Sequence, residues 1–177
     1  MEIQSLRDAL DNLSTEKLYN TFKTFKCKKD DDIENFLTDY SVDYENKNVS
    51  RTFFVMDERC PGVILGYFSI GLNVMHFEDP INVQDAYEGI NLYEDGYRPI
   101  YKLFMIGKNS NCNINLKMAD VFNDTIIPYC REAQSRIGGD LIYIDCIPEL
   151  RNYYESLNFE FYDECLEGGL IRMIRSI

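Results

Sequence analysis

The sequence predicts a mixed α/β protein, and three observations support this prediction. Runs rich in β-branched and aromatic residues alternate with longer runs whose apolar residues recur at helical spacing. In the second half, a strand, a long helix and another strand follow one another, which is the order of a βαβ unit. The chain has 177 residues, 45% of them hydrophobic, and contains no proline-rich, glycine/serine-rich or low-complexity linker. We therefore expect one domain over residues 1–177.

The first predicted elements are a strand and a helix. Residues 18–26 (LYNTFKTFK) alternate apolar or aromatic with polar residues, which is typical of a strand. The acidic run at residues 30–32 is typical of a helix N-terminus. The apolar residues that follow it at helical spacing are Ile33, Phe36, Leu37 and Tyr40.

A hairpin and an insertion follow. Residues 51–56 and 63–74 are rich in strand formers and are separated by DERCPG, whose Pro61-Gly62 pair indicates a turn. We expect these two strands to be antiparallel. Residues 76–96 are polar, acidic and weakly periodic, and we interpret them as an insertion with one helical turn near residues 83–87.

The βαβ unit occupies residues 100–146. A strand at 100–106 (IYKLFMI) precedes the loop GKNSNCN and a helix over 114–137, kinked at Pro128 and ended by Gly138-Gly139. An apolar strand at 140–146 should pair in parallel with the first. Pro148 then begins a short helix through Ser156, and strands at 159–162 and 170–174 complete the predicted elements.

Charge and cysteine content exclude several classes of site. With 18 Lys and Arg against 30 Asp and Glu, the formal net charge is −12, which makes a nucleic-acid partner unlikely and favours a neutral or cationic one. No apolar stretch is long enough to span a membrane and the N-terminus lacks a signal pattern, so we expect a cytoplasmic protein. Six widely spaced cysteines without CxxC, and one histidine, predict no metal site.

One stretch of this acidic chain is basic. Between Arg98 and Ala119 there is no Asp or Glu, while Arg98, Lys102, Lys108 and Lys117 are cationic. The alternative to an anion site is a chance cluster of solvated lysines. The basic stretch coincides with a loop before a helix, where backbone N–H groups can bind an anion, and this favours an anion site.

The segments TFFVMDERCPGVILGYFSIG and IGGDLIYIDCIPELRNYYESLNFEFY, together with the order of the elements, resemble the GNAT acyltransferase family. The resemblance extends from about residue 25 to residue 174. It implies a mixed, mostly antiparallel sheet of six or seven strands with helices on both faces. It also implies direct transfer of an acetyl group from acetyl-CoA to a primary amine on a small molecule or a protein. The oligomeric state stays open, a homodimer included.

The resemblance also implies which residues bind the coenzyme. A backbone N–H of Met105 or Ile106 would polarise the thioester carbonyl, and Cys146 would lie near the pantetheine arm. The residues of the implied pyrophosphate loop are Lys108, Ser110, Asn111, Asn113, Ile114 and Asn115. The family's loop is rich in glycine, whereas here no glycine lies between Gly107 and Gly138. The alternating asparagines are the next most tolerant residues for left-handed backbone. The alternative is a non-catalytic GNAT-fold protein that binds acyl-CoA or a protein partner.

Transfer to an amine also needs an acid for the thiolate and a base for the ammonium. By the resemblance, Tyr154 is the acid; the alternative is that Tyr154 packs in the core and Tyr153 is exposed. The strand at 100–106 carries no carboxylate. The candidate bases are therefore a water chain or the insertion's Glu78, Asp79, Glu94 and Asp95. Acetylation of an aminoacyl-tRNA, known for some family members, is disfavoured by the net charge.

Overall fold

The computed structural model describes residues 1–77, 96–164 and 168–177. Its chain divides into two compact units. The first comprises Met1–Gly71 and Leu103–Met118, and the second comprises Leu72–Lys102 and Ala119–Ile177. Within the described ranges, no helix combines the length and the apolar character needed to cross a bilayer.

Seven strands form one mixed sheet in the order β1-β2-β3-β4-β5-β7-β6. They are β1 (Glu2–Ser5), β2 (Arg51–Met56), β3 (Gly66–His76), β4 (Tyr97–Lys108), β5 (Leu141–Cys146), β6 (Glu160–Glu164) and β7 (Ile171–Ser176). The β1–β2, β2–β3, β5–β7 and β6–β7 pairs are antiparallel, and β4 and β5 are parallel. The predicted mostly antiparallel sheet, its hairpin and its parallel βαβ pair are thus confirmed.

Among the described residues, four helices lie between β1 and β2, two between β4 and β5, and one between β5 and β6. They are α1 (Leu6–Asn12), α2 (Thr15–Phe22), α3 (Asp31–Asn35), α4 (Ser41–Asn46), α5 (Met118–Val121), α6 (Ile127–Ile137) and α7 (Arg151–Glu155). Two π-helical turns, Phe36–Tyr40 and Phe122–Ile126, join α3 to α4 and α5 to α6, and a 3₁₀ turn, Pro148–Leu150, precedes α7. The Asp30 side chain accepts from the Asp32 N–H at 2.9 Å and caps α3 as predicted.

The strand predicted at residues 18–26 is wrong, because this segment begins in α2 and continues as a turn. The Ser14 hydroxyl caps the helix by accepting from the Lys17 N–H at 3.3 Å. Leu18 and Phe22 lie four residues apart, so they share a helix face, and each is about 1% exposed. The spacing of Leu18 and Phe22 fits a helix as well as a strand, and burial of this pair decides for the helix.

A π-helical turn changes the face that the helix after Asp30 buries. Phe36 and Leu37 are buried as predicted, whereas Tyr40 is 54% exposed and Ser41 is fully buried. A π-turn inserts one residue into the helical repeat, so the buried positions shift by one. A regular 3.6-residue period could not anticipate this shift.

The long helix begins later than predicted. Residues 114–117 belong to the loop, and α5 starts at Met118. Pro128 is the second residue of α6, directly after the π-helical turn, in a helical segment that is continuous from Met118 to Ile137. The helix ends at Ile137 as predicted, with Gly138 at φ +80°.

Each unit has its own apolar cluster. In the first unit, Leu18, Phe22 and Phe36 pack with Phe54 and Tyr67. In the second unit the cluster includes Ile100, Leu141, Tyr143 and Ile174. The predicted helical turn at residues 83–87 lies outside the described residues.

Candidate functional site

Strand β4 leads into the candidate loop. Its parallel ladder with β5 pairs Tyr101 with Ile142 and Lys102 with Tyr143, and β4 then continues to Lys108. Met105 and Ile106 lie in this continuation and are half-buried. Met105 packs against the apolar cluster of the first unit. The candidate strand N–H groups are therefore on a rigid element.

Asn109 anchors the loop to the rest of the first unit. Its side chain is 1% exposed. The amide donates to the Ile64 carbonyl at 2.7 Å and to the Thr24 carbonyl at 3.1 Å. The amide oxygen accepts from the Asn111 N–H at 2.9 Å and from the Lys26 N–H at 3.3 Å. This buried polar group is well satisfied, so it fixes where the loop begins.

Ser110 adds a second attachment to the segment after α2. Its N–H donates to the Lys26 carbonyl at 2.6 Å, and its hydroxyl accepts from the Lys28 N–H at 3.1 Å. Ser110 thus orders the loop through bonds that its hydroxyl and N–H already make. The Ser110 hydroxyl keeps its donor and one acceptor site, and these are what it could offer to a coenzyme, as predicted.

Four consecutive backbone N–H groups follow without a partner. In the part of the chain that the structure describes, the N–H groups of Cys112, Asn113, Ile114 and Asn115 donate no hydrogen bond. Asn113 and Asn115 are exposed, and Ile114 is half-buried. Successive free N–H groups at a loop before a helix are a suitable site for an anion.

The expectation that asparagines supply left-handed backbone here is wrong. Among the described non-glycine residues, only Asn48 and Asn158 have positive φ. Asn111, Asn113 and Asn115 therefore adopt ordinary backbone, and the loop's form does not require glycine. Its shape comes from the Asn109 side chain, which sequence reasoning missed because nothing distinguishes Asn109 from the neighbouring asparagines.

The basic stretch divides into paired and unpaired residues. In the second unit, Arg98 pairs with Asp140, and the Lys102 ammonium lies 3.3 Å from Asp145. In the first unit, Lys108 and Lys117 form no ion pair with a described residue. The two lysines that flank the loop are thus the cations left for an anionic ligand.

Tyr154 and Cys146 lie together in the second unit. Tyr154, on α7, is 3% exposed and packs edge-to-face on Tyr153 and Phe159, with ring centroids 5.2 and 5.5 Å apart. Burial, with a smaller effect of Cys146, raises the pKa of the Tyr154 phenol well above its usual range. Burial raises the pKa of Cys146 to about 11, so both groups are protonated at neutral pH.

Tyr153, the other candidate acid, differs from Tyr154 in how its ring and hydroxyl are buried. Its ring is half-buried, and its hydroxyl is buried with no hydrogen-bond partner among the described residues. Burial raises its pKa as well. The alternative in which Tyr154 packs in the core and Tyr153 is exposed is therefore correct for Tyr154. It is wrong for Tyr153, whose hydroxyl is also buried.

The candidate bases Glu78, Asp79, Glu94 and Asp95 lie outside the described residues. Within residues 1–77, 96–164 and 168–177, no group of three His, Cys, Asp or Glu side chains is arranged for a metal ion. The predicted site residues thus fall into two groups: the β4 and loop residues in the first unit, and Cys146 with Tyr154 in the second.

Comparison with known proteins gives a match at the level of the fold. No family model and no curated protein matches the chain. A solved structure described as a bacterial toxin is similar over 99% of this chain and 91% of its own, with a TM-score of 0.72 and 14% identity. The structure of AtaT complexed with acetyl-methionyl-tRNAfMet covers 99% of this chain and 94% of its own, with a TM-score of 0.66 and 15% identity. The structure of AtaTR bound with AcCoA covers 99% of this chain and 92% of its own, with a TM-score of 0.65 and 14% identity.

These similarities confirm the fold class, a GNAT-like mixed sheet. At 14 to 15% identity they show the fold and not the activity. They also weaken the prediction against a nucleic-acid partner, since a protein of this fold is described in complex with a tRNA.

Proposed function

We propose that this protein transfers an acetyl group from acetyl-CoA to a primary amine. The observation that carries the proposal is the row of four backbone N–H groups, Cys112 to Asn115, that have no partner in the described part of the chain, on a loop anchored by Asn109. With Lys108 and Lys117 beside it in sequence, this row suits a pyrophosphate. The GNAT-like fold and its similarity to a structure bound with AcCoA support the same ligand.

In the proposed reaction, the amine attacks the thioester carbonyl, so that a C–N bond forms and the C–S bond breaks. A β4 N–H at Met105 or Ile106 donates to the carbonyl oxygen as negative charge develops there. Tyr154 donates its proton to the departing thiolate, since a phenol is protonated at neutral pH. A water chain or a carboxylate takes the ammonium proton.

Calorimetric titration with acetyl-CoA and CoA tests the coenzyme half of the proposal. We expect saturable binding of both at one site per chain. Radiolabelled acetyl transfer to a panel of amines then tests the reaction. Binding without transfer to any amine would favour the non-catalytic GNAT-fold alternative, and absence of binding would contradict the coenzyme site itself.

A second candidate acceptor is the α-amino group of an aminoacyl-tRNA. The structure of AtaT with acetyl-methionyl-tRNAfMet favours it, and so do exposed lysines in the first unit. Exposed lysines follow α2 at positions 23, 28 and 29, in the segment that is hydrogen-bonded to Asn109 and Ser110, while Lys26 is paired with Glu34 at 2.6 Å. Local cations of this kind attract phosphate even in a chain whose net charge is −12.

A side-by-side assay distinguishes the acceptors. Charged tRNAs, polyamines and lysine peptides are offered at equal amine concentration, and acetylated products are identified by mass spectrometry. A tRNA acceptor predicts a rate that falls steeply with salt and falls again in Lys28→Glu/Lys29→Glu, with Lys47→Glu as control. If polyamines or peptides react faster and the lysine variant is unaffected, the acceptor is a small amine or a protein.

A further inference from the structure

A bridging segment, residues 26–28, joins helix α3 to the loop that follows β4. Its two outer residues bond to the loop. The Lys26 carbonyl accepts from the Ser110 N–H at 2.6 Å, and the Lys28 N–H donates to the Ser110 hydroxyl at 3.1 Å. The Lys26 N–H also donates to the Asn109 amide oxygen at 3.3 Å. The bridging segment therefore sets the position of the first residues of the loop.

The middle residue of the bridging segment bonds to α3 instead. The Cys27 N–H donates to one carboxylate oxygen of Glu34 at 2.6 Å, and the Lys26 ammonium donates to the other oxygen at 2.6 Å. Successive N–H groups of an extended chain point to opposite sides, so a bond from residue 27 to α3 is compatible with bonds from residues 26 and 28 to the loop. Glu34 thus holds the bridging segment from the side opposite the loop.

Helix α3 is itself fixed within the first unit. The buried Tyr67 hydroxyl donates to the Ile33 carbonyl. Ile33 also packs on Gly107, next to last in β4, so closely that a Cβ added to Gly107 would lie 2.5 Å from the Ile33 Cγ2. Glycine is the residue that permits such an approach. Glu34 therefore lies on a helix that contacts both the apolar core and the end of β4.

The Glu34 carboxylate is suited to hold a backbone group. The hydrogen bond from the Lys26 ammonium holds the pKa of Glu34 below its usual value, so the carboxylate is ionised at neutral pH. A hydrogen bond from an N–H to an ionised acceptor is stronger than one to a neutral acceptor. Cys27 is 6% exposed, so its N–H has little access to water as a replacement partner.

We propose that Glu34 is a positioning residue of the coenzyme site, which fixes the loop through the bridging segment and thereby sets the affinity for coenzyme. The second part rests on the proposed function. Without the carboxylate, the bridging segment is released on its α3 side, and its bonds to Asn109 and Ser110 weaken. These two residues precede the N–H groups of residues 112–115 that we assign to the pyrophosphate, so that row loses its fixed position.

Amide hydrogen exchange followed by NMR tests the positioning without any ligand. In Glu34→Ala, we expect the N–H groups of Lys28 and Ser110 to exchange at least about ten-fold faster than in wild type, because the bonds between the segment and the loop open more often. Glu34→Gln should keep wild-type rates, since its amide oxygen still accepts from the Cys27 N–H. Unchanged exchange in Glu34→Ala would overturn the proposal.

Ser5→Ala is the matched control for a general loss of stability. The Ser5 hydroxyl also accepts from a backbone N–H, that of Asp8 at 3.0 Å, and caps α1. It lies on β1, three strands from β4 in the order of the sheet. We expect Ser5→Ala to lower the stability and to leave exchange at Lys28 and Ser110 unchanged. Equal acceleration in Ser5→Ala and Glu34→Ala would overturn the proposal.

Calorimetry with acetyl-CoA tests the effect on affinity. We expect Glu34→Ala to bind about ten-fold or more weakly than wild type, the scale of one hydrogen bond to a charged group. Glu34→Gln should bind within about three-fold of wild type, because the partly exposed ion pair with Lys26 contributes little. Ser5→Ala should bind as wild type does.

The remaining outcomes separate this proposal from the proposed function. Equal affinity of Glu34→Ala and wild type would overturn the effect on coenzyme binding, and equal losses in Glu34→Ala and Glu34→Gln would overturn the role of the backbone acceptor. If wild-type protein binds no acetyl-CoA, the proposed function and the effect on affinity both fail. Hydrogen exchange then still decides whether Glu34 positions the loop.

Discussion

Adjacent tyrosines on α7 present different hydroxyl environments. Tyr154 is the more buried residue, while the Tyr153 hydroxyl is itself buried without a partner among the described residues. Burial raises the pKa of both phenols. A proton donor must be protonated before the reaction and must reach the leaving group, so the pair offers a matched comparison.

Tyr154→Phe removes only the proposed acid. We expect kcat for acetyl transfer to fall about ten- to a thousand-fold with little change in acetyl-CoA affinity. Tyr153→Phe is the control; it should keep its turnover and lose no stability, because its hydroxyl makes no hydrogen bond to any residue that the structure describes. The reverse pattern would assign the acid to Tyr153.

Asn109→Ala tests the anchor of the loop. The substitution leaves the carbonyls of Thr24 and Ile64 without their donor, so we expect unfolding to become easier by about 2–4 kcal/mol. Urea denaturation measures this loss. Asn111→Ala, whose exposed side chain anchors nothing described, should change stability by less than about 0.5 kcal/mol. Equal effects of the two substitutions would show that Asn109 is not the anchor.

The contribution of Asp57 to the stability of the folded protein should depend on pH. Its carboxylate accepts from the Arg59 side chain at 2.8 Å through each oxygen, which holds its pKa far below the usual range. A depressed folded-state pKa contributes stability that is complete above the unfolded value, about 4, and is lost as pH falls below it. Asp57→Asn should therefore be less stable than wild type at pH 6, with a gap that narrows below pH 4. Urea titrations at several pH values measure the gap, and a constant gap would contradict the assignment.

At the scale of elements, the candidate anion site in the loop from Asn109 to Lys117 consists of backbone N–H groups. This explains why its lack of glycine did not exclude an anion site: none of its asparagines needs left-handed backbone. Sequence reasoning located the loop from its basic flanks and from the helix behind it. It could not identify which N–H groups are free, because that depends on partners distant in sequence.

Asn113→Pro removes one of the four free N–H groups. We expect acetyl-CoA to bind at least about ten-fold more weakly, since one hydrogen bond to a charged group is lost. Asn113→Ala keeps the N–H and should bind normally. If Asn113→Pro, Asn113→Ala and the double variant Lys108→Glu/Lys117→Glu all bind acetyl-CoA as wild type does, the pyrophosphate lies elsewhere.

For the whole molecule, we retain the proposal of a single domain. Strands β3 and β4 each contribute residues to both units. Unfolding followed by circular dichroism and by tyrosine fluorescence should therefore show one coincident transition. Acetyl-CoA at about 100 times its Kd should stabilise the protein by about 2.7 kcal/mol. Separate transitions by the two probes would instead show units that unfold independently.

Local chemistry along the chain was enough to predict most of the fold. Asp30 begins a helix because its carboxylate caps free N–H groups, Gly138 ends one because it tolerates positive φ, and the β-rich runs form the strands. These signals act within a few residues, so they can be read from sequence. Only the tertiary structure decided that residues 18–26 begin as a helix, because short alternation fits two periods and burial of one face selects between them. It also decided the role of Asn109, which depends on a partner segment that folding, and not sequence proximity, brings into contact.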